Sequence, residues 1–386
     1  EGGLGQGGNV DIDAKELSVS NGAQIAAATF GKGSVGDINI DLEGKALFAG
    51  INNRRISGVS NGVEEGGIGQ GGNIKITAKE IETKEGARLK TFTLGEGNAG
   101  NINIQAPTIS FQGGGYLDSE FQPSITLSDV EETGIGKAGN IVLETDILSV
   151  TEGAQLKSNS FGNGDAGNIT ISANNSISFD GVSEKGETEE SDKYSSGAFS
   201  RIENGGEGKS GNISINTEKL FIKNGAVLTT STFGKQGAGN IDIKSKEVTV
   251  DGESRATLSS GIYSRILKRG AGQGGSIVID TDNLSITNGG RLATSSLGNG
   301  DAGDITINAR DTVSFNDISS KGKQNNSLQV DRYSSGIFSR VERNENDALD
   351  TRKSGNISIG TRKLFITNGA LFTTSTFGMQ KAGNIN

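Results

Sequence analysis

The chain has no cysteine, histidine or tryptophan, and only two prolines among 386 residues. Without histidine it lacks the commonest general base and the commonest transition-metal ligand. Without cysteine it has no thiol nucleophile, disulfide or thiolate zinc site. A cysteine-free chain also suits passage across membranes in the unfolded state, because no premature disulfide can block it. No apolar run approaches the ~20 residues that span a bilayer as a helix. Clustered basic residues are missing too: 37 Lys and Arg are scattered among 46 Asp and Glu, for a net charge of −9. That balance argues against a nucleic-acid partner or an anionic membrane surface.

What is abundant is glycine, 61 residues without a G-X-Y period, which excludes collagen. Asn, Ser, Thr, Ile and Val fill much of the rest, a composition suited to short strands joined by turns.

Twelve positions share one setting, the residue after a glycine and before Ile or Val. They are Asn9, Asp37, Asn73, Asn101, Asn140, Asn168, Asn212, Asn240, Ser276, Asp304, Asn356 and Asn384. Successive spacings are 28, 36, 28, 39, 28, 44, 28, 36, 28, 52 and 28 residues, so a fixed unit alternates with a longer, variable one. The six fixed units agree column by column. Eight residues past the anchor stand Leu17, Ile81, Leu148, Leu220, Leu284 and Leu364. Next comes a two-residue turn, as in Asn21-Gly22 and Asn224-Gly225, and then a second apolar column of Ile25, Leu89, Leu156, Leu228, Leu292 and Phe372. A hydroxyl column follows at Thr29, Thr93, Ser160, Thr232, Ser296 and Thr376.

Within each unit apolar and polar residues alternate with period two, which marks strands with one buried face. Three short strands and three glycine-rich corners per unit describe one coil of a β-solenoid. A coil cannot bury its apolar side alone, so stacking must build the core. The fold expected is all-β: a right-handed parallel β-helix of about 11–12 coils, one elongated domain over residues 1–386. Coils lie about 4.8 Å apart. The anchor residues Asn9, Asp37, Asn73, Asn101, Asn140, Asn168, Asn212, Asn240, Asp304, Asn356 and Asn384 should then stack into an amide ladder. The hydroxyl column should be satisfied coil to coil in the same way.

The extra length of the variable units collects at two corners. One follows the second strand, as in Asp180–Lys193 and Asn316–Asp331; the other precedes the next anchor, as in Glu342–Gly355. Insertions at a constant corner project from one side, often the binding side.

Two stretches, GNGDAGNITISA (Gly162–Ala173) and GNGDAGDITINA (Gly298–Ala309), carry the G-x-G-x-x-G spacing of a dinucleotide loop. That loop must open a helix. Here a strand pattern follows, so the motif reads as a structural turn. Calcium needs six to eight converging oxygens, yet Asp165 and Asp301 are replaced at the comparable position by Ser34 and Asn98. No catalytic residue, metal or cofactor is expected.

The sharper candidate is the recurring SSGAFSR, SSGIYSR and SSGIFSR. Alternation turns Phe199 with Arg201, Tyr263 with Arg265, and Phe338 with Arg340 away from the core. Two readings follow. The pairs form an exposed aromatic and arginine stripe able to stack on sugars and bind acidic groups, or the preceding insertion covers each aromatic and leaves the arginine as a solvated edge.

The unit GNIxIxAxxLxIxNGAxLxTxTFGxGNAG, spelled out over Gly139–Gly167 and Gly211–Gly239, resembles the repeats of filamentous-haemagglutinin-like exoproteins of two-partner secretion systems, particularly the large cyanobacterial ones. The resemblance covers essentially the whole chain. It implies a right-handed parallel β-helix, export of the parent protein through a dedicated outer-membrane transporter, and a place on or outside the cell surface. The family's secretion domain is not identified in this stretch, and both termini fall within a repeat, so a longer parent protein is expected. Members act as adhesins, sheath or matrix components, or toxin-delivery stalks. The leading expectation is a non-enzymatic structural and adhesive rod, with copies associating end to end or laterally and a glycan or surface receptor as partner. The alternatives are a carbohydrate-binding module and a polysaccharide-degrading β-helix enzyme, although no carboxylate pair is set apart by a break in the repeat.

Overall fold

A computed structural model describes residues 3–184, 192–254, 258–318, 334–342, 351–377 and 380–386. The central part of the insertion Asp180–Lys193, most of Asn316–Asp331 and much of Glu342–Gly355 lie outside these residues. Among the described residues there is no α-helix.

The period-two segments form strands, and the strands stack in parallel into two long sheets of 16 and 11 members. The third strand of every coil builds the smaller sheet, from Gln24–Thr29 to Leu371–Thr376, so the chain makes 11 full coils of a parallel β-helix. The first and second strands build the larger sheet. They are separate near both ends, as Val10–Ala14 and Leu17–Ser20, but run on as one bent strand in the middle coils, as in Ile213–Lys223. Single-residue bridges Leu4↔Lys32↔Ile68↔Glu96↔Ile135 join the remaining corner in parallel.

Register is kept from coil to coil, so like residues fall in columns. Leu148, Ile177, Leu220, Val248 and Leu284 are successive partners, and all are buried on one interior line. Each such leucine contributes about 1.5–3 kcal/mol by leaving water.

The turns between second and third strands explain the alternation of coil lengths. In fixed coils both turn residues have positive φ, 55° and 80° at Asn21-Gly22 and 53° and 88° at Asn224-Gly225. That is the two-residue primed turn for which Asn-Gly is best suited. In the variable coils one positive-φ residue, such as Gly113, Gly181 or Gly252, opens the insertion at the same corner. Among the described residues two insertions are antiparallel hairpins, Ile51–Asn52 with Arg55–Ile56 and Gly114–Leu117 with Glu120–Pro123.

The glycine before each anchor after the first has a different cause. A Cβ on Gly211 would lie 2.1 Å from the Gly167 carbonyl oxygen, and one on Gly167 2.1 Å from that of Gly139. The coils meet backbone to backbone there, and only glycine fits.

Candidate functional site

The recurring S-S-G-Φ-Φ-S-R segments, where Φ is apolar or aromatic, all lie on third strands of variable coils: Gly197–Ile202, Gly261–Ile266 and Gly336–Val341. Each residue has a distinct task. Ser196, Ser260 and Ser335 accept the N–H of Gly153, Gly225 and Gly289 at 2.8, 2.9 and 2.9 Å, capping the turn of the coil below. Gly261 makes room for an aromatic, since its Cβ would lie 2.5 Å from the Tyr263 ring. Ala198, Ile262 and Ile337 face the core.

Alternation does turn Phe199, Tyr263 and Phe338 out of the core, but not into solvent. Their exposures are 0, 7 and 3 %, and Phe199 and Tyr263 join Val227 in a small cluster on the outer face of the sheet. The exposed-stripe reading is therefore corrected. The rings sit in one column with Thr229 and Ala293 from the fixed coils between them, where small side chains leave space.

Nor are the arginines a solvated edge. The guanidinium carbons of Arg201, Arg265 and Arg340 lie 4.7, 3.8 and 4.6 Å from the ring centroids of Phe199, Tyr263 and Phe338, within cation–π range. Arg201 also grips Asp192 in a bidentate pair at 2.6 and 3.3 Å. Burial alone would raise the Asp192 carboxyl, but the charge and hydrogen bonds of Arg201 outweigh it and hold it below its ordinary value. Gln155 donates to the carbonyls of Lys193 and Ser195, both at 2.9 Å, and Tyr194 meets Phe121 of the preceding insertion edge to face at 6.2 Å. The Phe199 and Arg201 pair thus forms a bed onto which the end of its insertion, Asp192 to Ser195, folds.

Asp129 lies on this outer face, cross-strand from Asn159 and thence Arg201. It is 4 % exposed, one of its oxygens has no partner, and burial pushes its carboxyl up to about 8.

The anchor column is a ladder, although its rungs differ from those expected. Each side-chain Oδ1 accepts the backbone N–H of the next coil's anchor at 2.6–2.9 Å, from Asn9 to Ser276 and again from Asp304 to Asn384. Amide-to-side-chain rungs accompany this only at some steps, as Asn101 Nδ2 to Asn73 Oδ1 at 3.1 Å. The Asp165 and Asp301 carboxylates do the same one corner earlier, accepting from Lys209 N at 3.0 Å and Lys353 N at 2.8 Å. Ser34 and Asn98 play that part for Gln70 N and Lys137 N. The position takes any side-chain acceptor, which is why its identity varies.

In the hydroxyl column Thr93, Ser160 and Ser296 donate within their own coil to the carbonyl two residues on, Thr232 accepts the Gly234 N–H at 2.9 Å, and Thr376 alone of these donates to the coil below, to the Arg352 carbonyl at 3.3 Å. The cross-coil hydroxyls are two residues earlier and were not singled out by the sequence reading. Ser200 Oγ accepts Gly211 N at 2.8 Å and donates to Gly167 O at 3.0 Å; Ser158 and Ser128 repeat this. The T-x-T alternation of the unit was the available signal. No family model matches the chain, and no curated protein or solved structure matches it.

Proposed function

We propose that this chain is a segment of a structural and adhesive rod: part of an exported surface exoprotein whose stacked coils carry variable insertions away from the cell. The supporting observation is the parallel register kept from Val10 to Thr376, with the hairpins Ile51–Ile56 and Gly114–Pro123 both leaving at the corner between second and third strands. Such a frame transmits length, and it devotes its repeated polar residues to capping neighbouring coils. Eleven coils at about 4.8 Å give a body on the order of 50 Å long. Export through an outer-membrane partner and an extracellular place belong to the same proposal, supported by the repeat motif and by the lack of cysteine.

The test has two parts. The purified chain is imaged by negative-stain electron microscopy, where rods or end-to-end filaments are expected and uniformly round particles count against the proposal. Beads coated with the chain are then scored for retention on bacterial and host cell surfaces. Retention no greater than for beads carrying an insertion-trimmed chain would remove the adhesive part.

A further inference from the structure

The outer face of the smaller sheet changes character near its start. The third coil presents Lys90 and Phe92 outward, but the first two coils offer Ala26, Ala28, Gly58, Ser60 and Gly62. The step leaves a pocket of about 220 Å³ lined by Gln24, Arg54, Arg55, Ser60, Arg88 and Lys90. The hairpin Ile51–Ile56 walls one side, pinned by Gln24 Nε2 donating to Ile56 O at 2.9 Å, and the third coil walls the other.

Four cations around one small cavity are unusual in a chain of net charge −9. Two are neutralised outside it: Arg54 by Asp118, and Lys90 by Glu131 at 2.5 Å. The other two are not. Arg88 forms no ion pair: it hydrogen-bonds to the neutral Gln122 amide oxygen, its Nε is buried without a partner, and Asp129 and Glu131 act on its charge only from beyond contact distance. Arg55 is exposed on the hairpin and pairs with no carboxylate among the described residues. Two guanidiniums that line one cavity without an ion-pair partner suit a planar or tetrahedral oxyanion, because charge-assisted bonds to guanidinium are the strong ones. The pocket is smaller than most drug-sized sites, while Gln24 and Ser60 on its wall suit hydroxyl groups.

From this cavity and its guanidiniums without ion-pair partners we infer that the pocket binds one acidic sugar unit, with a carboxylate or sulfate held by Arg55 and Arg88. The inference goes beyond the rod reading and does not depend on it, since rod shape and ligand binding are measured separately.

Isothermal titration of the full chain with trigalacturonate, a sulfated heparin tetrasaccharide and neutral maltotriose tests it. Binding of either charged probe, weakened about tenfold or more by Arg55→Ala and by Arg88→Gln and weakened by added salt, is the expected result; the probe that binds identifies the anion. Arg55 is exposed on a hairpin, so Arg55→Ala alone decides if Arg88→Gln melts early. The inference is overturned if neither charged probe gives heat at millimolar concentration, if maltotriose binds equally well, or if Arg55→Ala binds like the unaltered chain.

Discussion

Replacing Ser200 with alanine isolates the coil-to-coil stitch. The side chain is fully buried, and its hydroxyl serves two backbone groups at once, the Gly211 N–H of its own coil and the Gly167 carbonyl of the coil below. Alanine removes one oxygen and creates almost no cavity, so the packing term is small. What remains is a buried N–H and a buried C=O with a lost partner, each costing roughly 1–3 kcal/mol. The glycines on both sides leave little room for water to enter, because the corners already touch backbone to backbone. A loss of about 2–6 kcal/mol is therefore expected. It is read from urea unfolding followed by circular dichroism, with the half-buried, outward-facing Ser178→Ala as control. Coils contact only their neighbours, so a second, earlier transition around the altered coil is also an expected form of the result. A midpoint equal to that of the control would refute the view that this hydroxyl column ties the coils together.

Other consequences are as direct. Leu220→Ala, in the middle of the interior column, should cost about 2–5 kcal/mol in the same assay. Gly211→Ala sets a methyl 2.1 Å from the Gly167 oxygen and should part the two coils, so amide exchange should rise at Ile213 and Ile169 while distant coils stay protected. Asp129 has a folded-state carboxyl raised to about 8 by burial. Its contribution is complete below the ordinary carboxylate range and is lost as pH climbs through about 8. Asp129→Asn should therefore flatten the decline in stability between pH 5 and pH 9, as seen in urea midpoints across that range; an unchanged slope would show that Asp129 is not the group responsible. Arg201→Ala removes both the bidentate grip on Asp192 and the cover over Phe199, and should expose the Tyr194 insertion to limited proteolysis before the rod itself is cut.

The repeat made the solenoid legible because stacking imposes the same demand at the same place in every coil. Leu148, Leu220 and Leu284 occupy one line since a column threaded through the interior must stay apolar. The Asn-Gly turns were equally readable, as positive φ at two adjacent positions leaves few choices. The direction of hydrogen bonds was not. Whether Asn73 Oδ1 meets the next amide or the next backbone N–H depends on a fraction of an ångström in how the coils are offset, and the structure chose the backbone, adding the amide only at some steps.

The candidate site divides in the same manner. Period two sufficed to turn Phe199, Tyr263 and Phe338 away from the core, a local geometric fact. What covers them is decided by contacts that no periodicity encodes, such as Arg201 with Asp192 and Gln155 with the carbonyls of Lys193 and Ser195 beside Phe199, and Arg291 over Phe338. The pocket of Arg55 and Arg88 lies further from sequence still, because its walls come from a hairpin and a strand more than thirty residues apart. Sequence alone determined the coil, its columns and its corners, since those recur and each recurrence repeats one physical requirement. Tertiary structure alone decided which outward surfaces stay open and which are covered, because covering depends on where unrepeated chain comes to rest.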